Sequence, residues 1–120
     1  MSREIKFRAW NTKFNVMYVW QTILDSLKLE RLLEGHPEVN LMQYTGLKDK
    51  NGVEIYEDDL WFYDGCHYLV QWTNAYAGFS LVATELDNKH TGEILQMFHA
   101  AKGVVIGNIY ENPELLESAS

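Results

Sequence analysis

Four histidines, one cysteine and an acidic run are the residues of this 120-residue chain with the means to do chemistry. His36, His67, His90 and His99 include no pair at the i, i+4 spacing that sets two imidazoles on one helix face. Cys66 is the lone cysteine, so ligation of a zinc type lacks its usual pattern. Glu57-Asp58-Asp59 with Asp64 could offer carboxylate oxygens to a hard cation, but the alternating Asp-x-Asp-x-Asp loop that wraps one is missing. The same residue types suit a solvated turn, and that is the expected role. No Gly-x-Ser-x-Gly elbow, Walker loop, Gly-x-Gly-x-x-Gly or Cys/His nucleophile arrangement occurs. The expectation is a protein that is not an enzyme, with no catalytic residue, no metal and no cofactor.

The aromatic residues are the other resource. Trp61, Trp72, Tyr44, Tyr63, Tyr68, Tyr76 and Phe79 are many rings for one small domain. Rings fill cores, but they also line peptide grooves and stack on the bases of single-stranded nucleic acid. Trp61, Trp72, Tyr76 and Phe79 are therefore candidate interaction residues, joined by Leu24 and Leu27 on the helix described next. Lys48, Lys50 and Lys89 fall in expected turns and could make a small basic face.

Mostly strands must position these side chains. Ile5, Phe7 and Ala9 alternate with Lys6 and Arg8, residues 11–15 turn the chain, and residues 16–20 return it as a hairpin. Over residues 22–34 the period changes, with Ile23, Leu24, Leu27, Leu32 and Leu33 set against Asp25, Lys28, Arg31 and Glu34. That spacing predicts an amphipathic helix, opened by Thr22 and Asp25 as a capping box and stopped by Gly35 and Pro37. Met42 and Tyr44 alternate with Leu41, Gln43 and Thr45 in a strand that Gly46 should break. Residues 48–52 read as an exposed turn closed by Asn51-Gly52, and residues 57–59 as a second polar corner before Leu60-Trp61-Phe62-Tyr63. Asp64-Gly65 signals a hairpin into Tyr68, Val70 and Trp72, residues 74–78 turn again, and residues 79–86 form the next strand. Residues 87–92 read as an exposed loop, and residues 93–101 as a short helix ended by Gly103. Residues 104–110 are the closing strand, where Gly107 marks a bulge or a close backbone approach. Asn112-Pro113 then starts a last helical turn.

Composition limits partners and compartment. A hydrophobic content of 47% is ample for a packed core in one small protein. With 10 basic against 17 acidic residues and a net charge of −7, broad gripping of nucleic-acid phosphates is disfavoured. The lone cysteine forbids an internal disulfide and fits a reducing compartment. No apolar signal core follows the N-terminus, and nowhere do about 18 apolar residues run together. The expected setting is cytoplasmic, with no membrane partner.

Long blocks of this sequence also resemble a known family. LMQYTGLKDKNGVEIYEDDL at residues 41–60, Gln71-Trp72, Tyr76-Ala77-Gly78-Phe79 and VIGNIYENPELL at residues 105–116 are similar to the YopX family of phage and prophage proteins, and the opening Arg3-Glu4-Ile5-Lys6-Phe7-Arg8-Ala9-Trp10 fits as well. Where that family usually has Glu-Gly-Asp, this chain has Glu57-Asp58-Asp59, and aspartate tolerates a left-handed turn better than most residues. The resemblance implies an SH3-type barrel with an N-terminal extension and a phage origin in a bacterial host. It supplies no molecular activity and no site residue. The expectation is thus a mainly β protein with minor α content. Residues 1–38 form the hairpin and helix, and residues 39–120 form an SH3-type barrel with a C-terminal turn of helix. The function expected first is that of a protein-interaction module contacting an unidentified host or phage protein, and also itself as a homo-oligomer. A nucleic-acid-binding accessory factor using the aromatic face of the barrel is the alternative.

Overall fold

The computed structural model describes residues 4–84 and 94–117. The fold is mainly β. The chain divides into two compact units, Met1–Tyr44 and Thr45–Ser120. The division falls inside the strand Val39–Lys48.

In the first unit, β1 (Phe7–Asn11) pairs antiparallel with β2 (Val16–Tyr18) on one side and with β3 (Val39–Lys48) on the other. The expected hairpin is present, and Asn11 explains how its loop closes. Its side-chain oxygen accepts from the backbone N–H groups of Lys13 at 2.9 Å and Phe14 at 3.1 Å, while its amide donates to the Tyr18 hydroxyl at 3.2 Å. A short polar side chain that satisfies the loop's own donors is turn chemistry, here working from a buried position. Ala9, Trp10, Ile23, Met42 and Tyr44 are buried, whereas Ile5, placed with Phe7 and Ala9 on one face by its spacing, is exposed.

The single helix expected over residues 22–34 does not form. A turn of α-helix, α1 (Trp20–Thr22), runs into a π-helical stretch at Ile23–Leu27; the backbone then breaks at Lys28, with φ +52°, before α2 (Leu29–Leu33). The apolar phase accounts for this. At about 100° per residue, Trp20, Ile23, Leu24 and Leu27 cluster on one side of an ideal helix, while Leu29, Leu32 and Leu33 fall on roughly the opposite side. One straight helix could not bury both groups. A widened turn and a break reset the phase, and Lys28 takes a conformation that costs an L-residue energy. No side chain caps either helix, so the expected capping box is also absent. Gly35 does take the left-handed conformation just past α2, as its stop signal implied.

The second unit holds a five-stranded antiparallel sheet in the order β8-β7-β6-β5-β9, formed by Ile94–Gln96, Gly78–Ala83, Cys66–Thr73, Asp59–Tyr63 and Val104–Asn108 respectively, together with the short β4 (Glu54–Tyr56). Gly46 does not end β3. With φ +88° it lies inside the strand, which continues to Lys48. The 48–52 turn is closed by a bond from the Asp49 N–H to the Val53 carbonyl, with Gly52 at φ +81°. Asp64 and Gly65, both at positive φ, make the two-residue turn between β5 and β6 that their sequence signalled.

Ile55, Trp61, Cys66, Tyr68, Val70, Leu81, Ala83 and Ala100 form the core of this unit. The helix expected over residues 93–101 does not form: residues 94–102 are the edge strand β8 followed by a 3-10 helix (Met97–Lys102) that sends Ala100 into that core. Gly103 then passes so close to the sheet that a Cβ there would lie 2.5 Å from the Phe62 carbonyl oxygen and 2.6 Å from the Trp61 ring. At Gly107 the expected bulge is present, since Leu60 faces Gly107 while Trp61 faces Val105, leaving Ile106 as the extra residue. A final turn, α3 (Glu114–Glu117), follows Pro113. The expected loop at residues 87–92 lies outside the described residues.

Candidate interaction surface

Successive side chains of a strand alternate faces, so Tyr68, Val70 and Trp72 share one face of β6. Tyr68 and Val70 are buried, but Trp72 is 49% exposed. Opposite them on β7 stand Ala83, Leu81 and Phe79 in register. The core face of the sheet therefore runs out into the open at the Trp72 and Phe79 pair. The two rings meet edge to face, with centroids 5.3 Å apart and planes at 85°, a favoured aromatic geometry. The Trp72 indole N–H donates to the Asn74 side-chain oxygen at 2.9 Å. Just beside the pair, the hydroxyls of Thr73 and Ser80 are hydrogen-bonded across the strands. An exposed ring held by a second ring and a hydrogen bond has little rotamer freedom left to lose on contact with a partner.

The strands and the turn that carry this pair hold no formal charge. From residue 65 to residue 84 the sequence contains no Asp, Glu, Lys or Arg. The polar groups on offer are amides and hydroxyls, from Gln71, Thr73 and Asn74.

Of the candidates read from the sequence, Trp61 must be withdrawn. It is fully buried, its indole N–H donates to the Ala100 carbonyl at 3.0 Å, and its ring packs against Tyr63 and Tyr68 at 5.6 Å and 5.3 Å. It organises the core and has no face left for a ligand. Trp72 and Phe79 come together as described. Tyr76 lies in the 3-10 turn Asn74–Tyr76 that joins their strands, and its side chain is outside the described residues. Leu24, 54% exposed, and the half-buried Leu27 sit on the π-helical stretch of the first unit, apart in sequence from the ring pair.

Two residues were missed by the sequence reading. Phe98 is 70% exposed on the 3-10 helix, its ring 4.1 Å from that of His99, whose Nδ1 lies 3.1 Å from the Lys102 ammonium. The expectation of a short helix over residues 93–101 gave it no separate role. Asp49 was assigned to an exposed turn, yet it is buried and its carboxylate accepts three backbone N–H bonds, from Asn51 at 2.8 Å, Val53 at 2.9 Å and Val105 at 2.8 Å. A lysine on each side masked it in the sequence.

The acidic corner is also more structural than a solvated turn. Asp58 takes the left-handed conformation, φ +71°, and accepts from the Tyr110 hydroxyl at 3.2 Å. Asp59 is buried and accepts from the Tyr56 N–H at 2.8 Å. Among the described residues no group of three or more His, Cys, Asp and Glu side chains is arranged to hold a metal ion. His36 accepts from the Glu38 N–H, His67 packs edge-on against Phe62, and His90 lies outside the described residues.

A mainly β protein whose second unit leaves an aromatic pair open on the core face of its sheet is the class these observations define. The family model described as YopX protein matches residues 6–117, and the chain belongs to the YopX family. The crystal structure of protein EF1440 from Enterococcus faecalis is similar, with a TM-score of 0.65 and 28% sequence identity over 96% of this chain and 99% of that one. No curated protein matches the chain.

Proposed function

We propose that this YopX family chain acts without catalysis, as a protein-interaction module of phage or prophage origin in the bacterial cytoplasm, and that Trp72 and Phe79 form its contact surface. The observation that supports this reading most is the exposure of Trp72 on a strand face whose other members are buried. Tryptophan is the residue type that most often anchors protein contacts, and leaving about half of one in water has a cost that a partner's surface would remove. The lack of charge over residues 65–84, within a chain of net charge −7, favours a polypeptide partner over a phosphate backbone. Self-association belongs to the same reading, since Leu24 and several other apolar side chains of the first unit stand exposed. No helix among the described residues is long and apolar enough to cross a membrane, which is compatible with that setting.

The second reading, a nucleic-acid accessory factor, draws on the same ring, because bases stack on exposed tryptophan. Titration of a labelled single-stranded oligonucleotide into the wild type and Trp72→Ala separates the two. The interaction-module reading expects no saturable binding at near-physiological salt. Binding that weakens with added salt and disappears in Trp72→Ala would replace it with the nucleic-acid reading.

A further inference from the structure

Within the first unit β2 stands at the end of its sheet, and among the described residues no strand pairs with its outer side. Alternate residues of an edge strand point N–H and C=O groups outward, and proteins usually guard such edges with charge, proline or a bulge. Here none of these guards is present. Residues 14–24 contain no Asp, Glu, Lys, Arg or Pro, and Val16 and Val19, 42% and 60% exposed, border the strand.

Charge indicates what covers this edge. At −7, two copies of the chain repel over most of their surfaces and can approach best where charge is absent. An antiparallel edge is also self-complementary under two-fold symmetry, the commonest symmetry of soluble assemblies. We infer that β2 pairs with β2 of a second copy, antiparallel about a two-fold axis at Met17. Met17 then faces Met17 across the axis, and Val16 of each copy faces Tyr18 of the other. A β-branched residue against an aromatic is a favourable cross-strand pair, and the register keeps each residue on the sheet face it already occupies. This rests on the protein-contact reading above and gives it a specific partner.

Sedimentation equilibrium of the full chain and oxidative cross-linking of Met17→Cys test it together. Residues opposite each other in an antiparallel pair are spaced closely enough for a disulfide, and the native Cys66 is buried. The expected result is a mass that rises with concentration from 14.0 kDa towards twice that value. Met17→Cys should form a covalent dimer under mild oxidation, and Val16→Glu should weaken association at least tenfold while keeping the circular dichroism of the wild type. A wild type that stays at 14.0 kDa overturns both this inference and the self-association it rests on. A dimer that neither cross-links through Met17→Cys nor weakens in Val16→Glu overturns the β2 pairing alone.

Discussion

Two glycines of the second unit are needed for different reasons, and the difference is measurable. At Gly52 the backbone is left-handed but the space around it is open, so Gly52→Ala costs only the conformational penalty, about 1 kcal/mol. At Gly103 the backbone is ordinary extended chain, and the obstacle is the Phe62 carbonyl and the Trp61 ring. Gly103→Ala must push strand β5 or the central tryptophan, a cost of roughly 1–3 kcal/mol or more. Urea denaturation of the two variants should rank them in that order, and equal midpoints would contradict the packing described for Trp61. Asp49 supplies a second residue-level test. Its carboxylate faces three N–H donors, so in Asp49→Asn the amide turns a donor toward a donor whichever way it points. The expected loss is about 1–3 kcal/mol, read from the same denaturation curves, although the substitution is nearly isosteric. The roles of Gly103 and Asp49 were not legible in the sequence. The Asn51-Gly52 turn was, because its signal is local. Asp49 and Gly103 answer to Val105 and Trp61, partners far away in the chain.

At the scale of elements, strands were read well because period-2 alternation and Asp-Gly or Asn-Gly turns are carried by neighbouring residues. The hairpin of β1 and β2, the β5 to β6 turn and the bulge at Gly107 all follow from such local signals. The helices were read poorly. Residues 22–34 supply enough leucine to suggest one stripe, but the step from Leu27 to Leu32 is one residue too long for the helical period, and the structure answers with a π-helical stretch and a break. Lys28 carries the consequence. Lys28→Gly relieves a lysine held at positive φ and should raise stability by about 1 kcal/mol, whereas in one straight helix the same change would lower it by a similar amount. The sign of the shift in thermal midpoint decides between the two. Residues 94–96 were misread for a related reason, since Ile94, Met97 and Phe98 fit a helical period until the pairing of Leu95 with Leu81 across the sheet is known.

At the scale of the whole molecule, the candidate surface was half visible in the sequence. Aromatic excess named Trp61 and Trp72 together, and alternation could not say which of them a core would cover. Trp61 sits beneath the 3-10 helix that delivers Ala100, whereas Trp72 lies near the end of β6, beyond the buried Tyr68 and Val70 of its own face. That placement makes Trp72→Ala a substitution with little effect on folding, within about 1 kcal/mol, because the ring is already half in water. Trp61→Ala should instead cost about 3–5 kcal/mol through the cavity it leaves. Paired thermal melts check this contrast. The central claim, that Trp72 meets protein, is tested most directly by replacing it with the photo-crosslinking residue benzoylphenylalanine and irradiating cells that express the variant. The account predicts cross-linked species that protease digests and nuclease leaves unchanged, and that are absent when the same residue replaces Val53, exposed elsewhere in the second unit. Adducts removed by nuclease, or the same pattern from both positions, would contradict it.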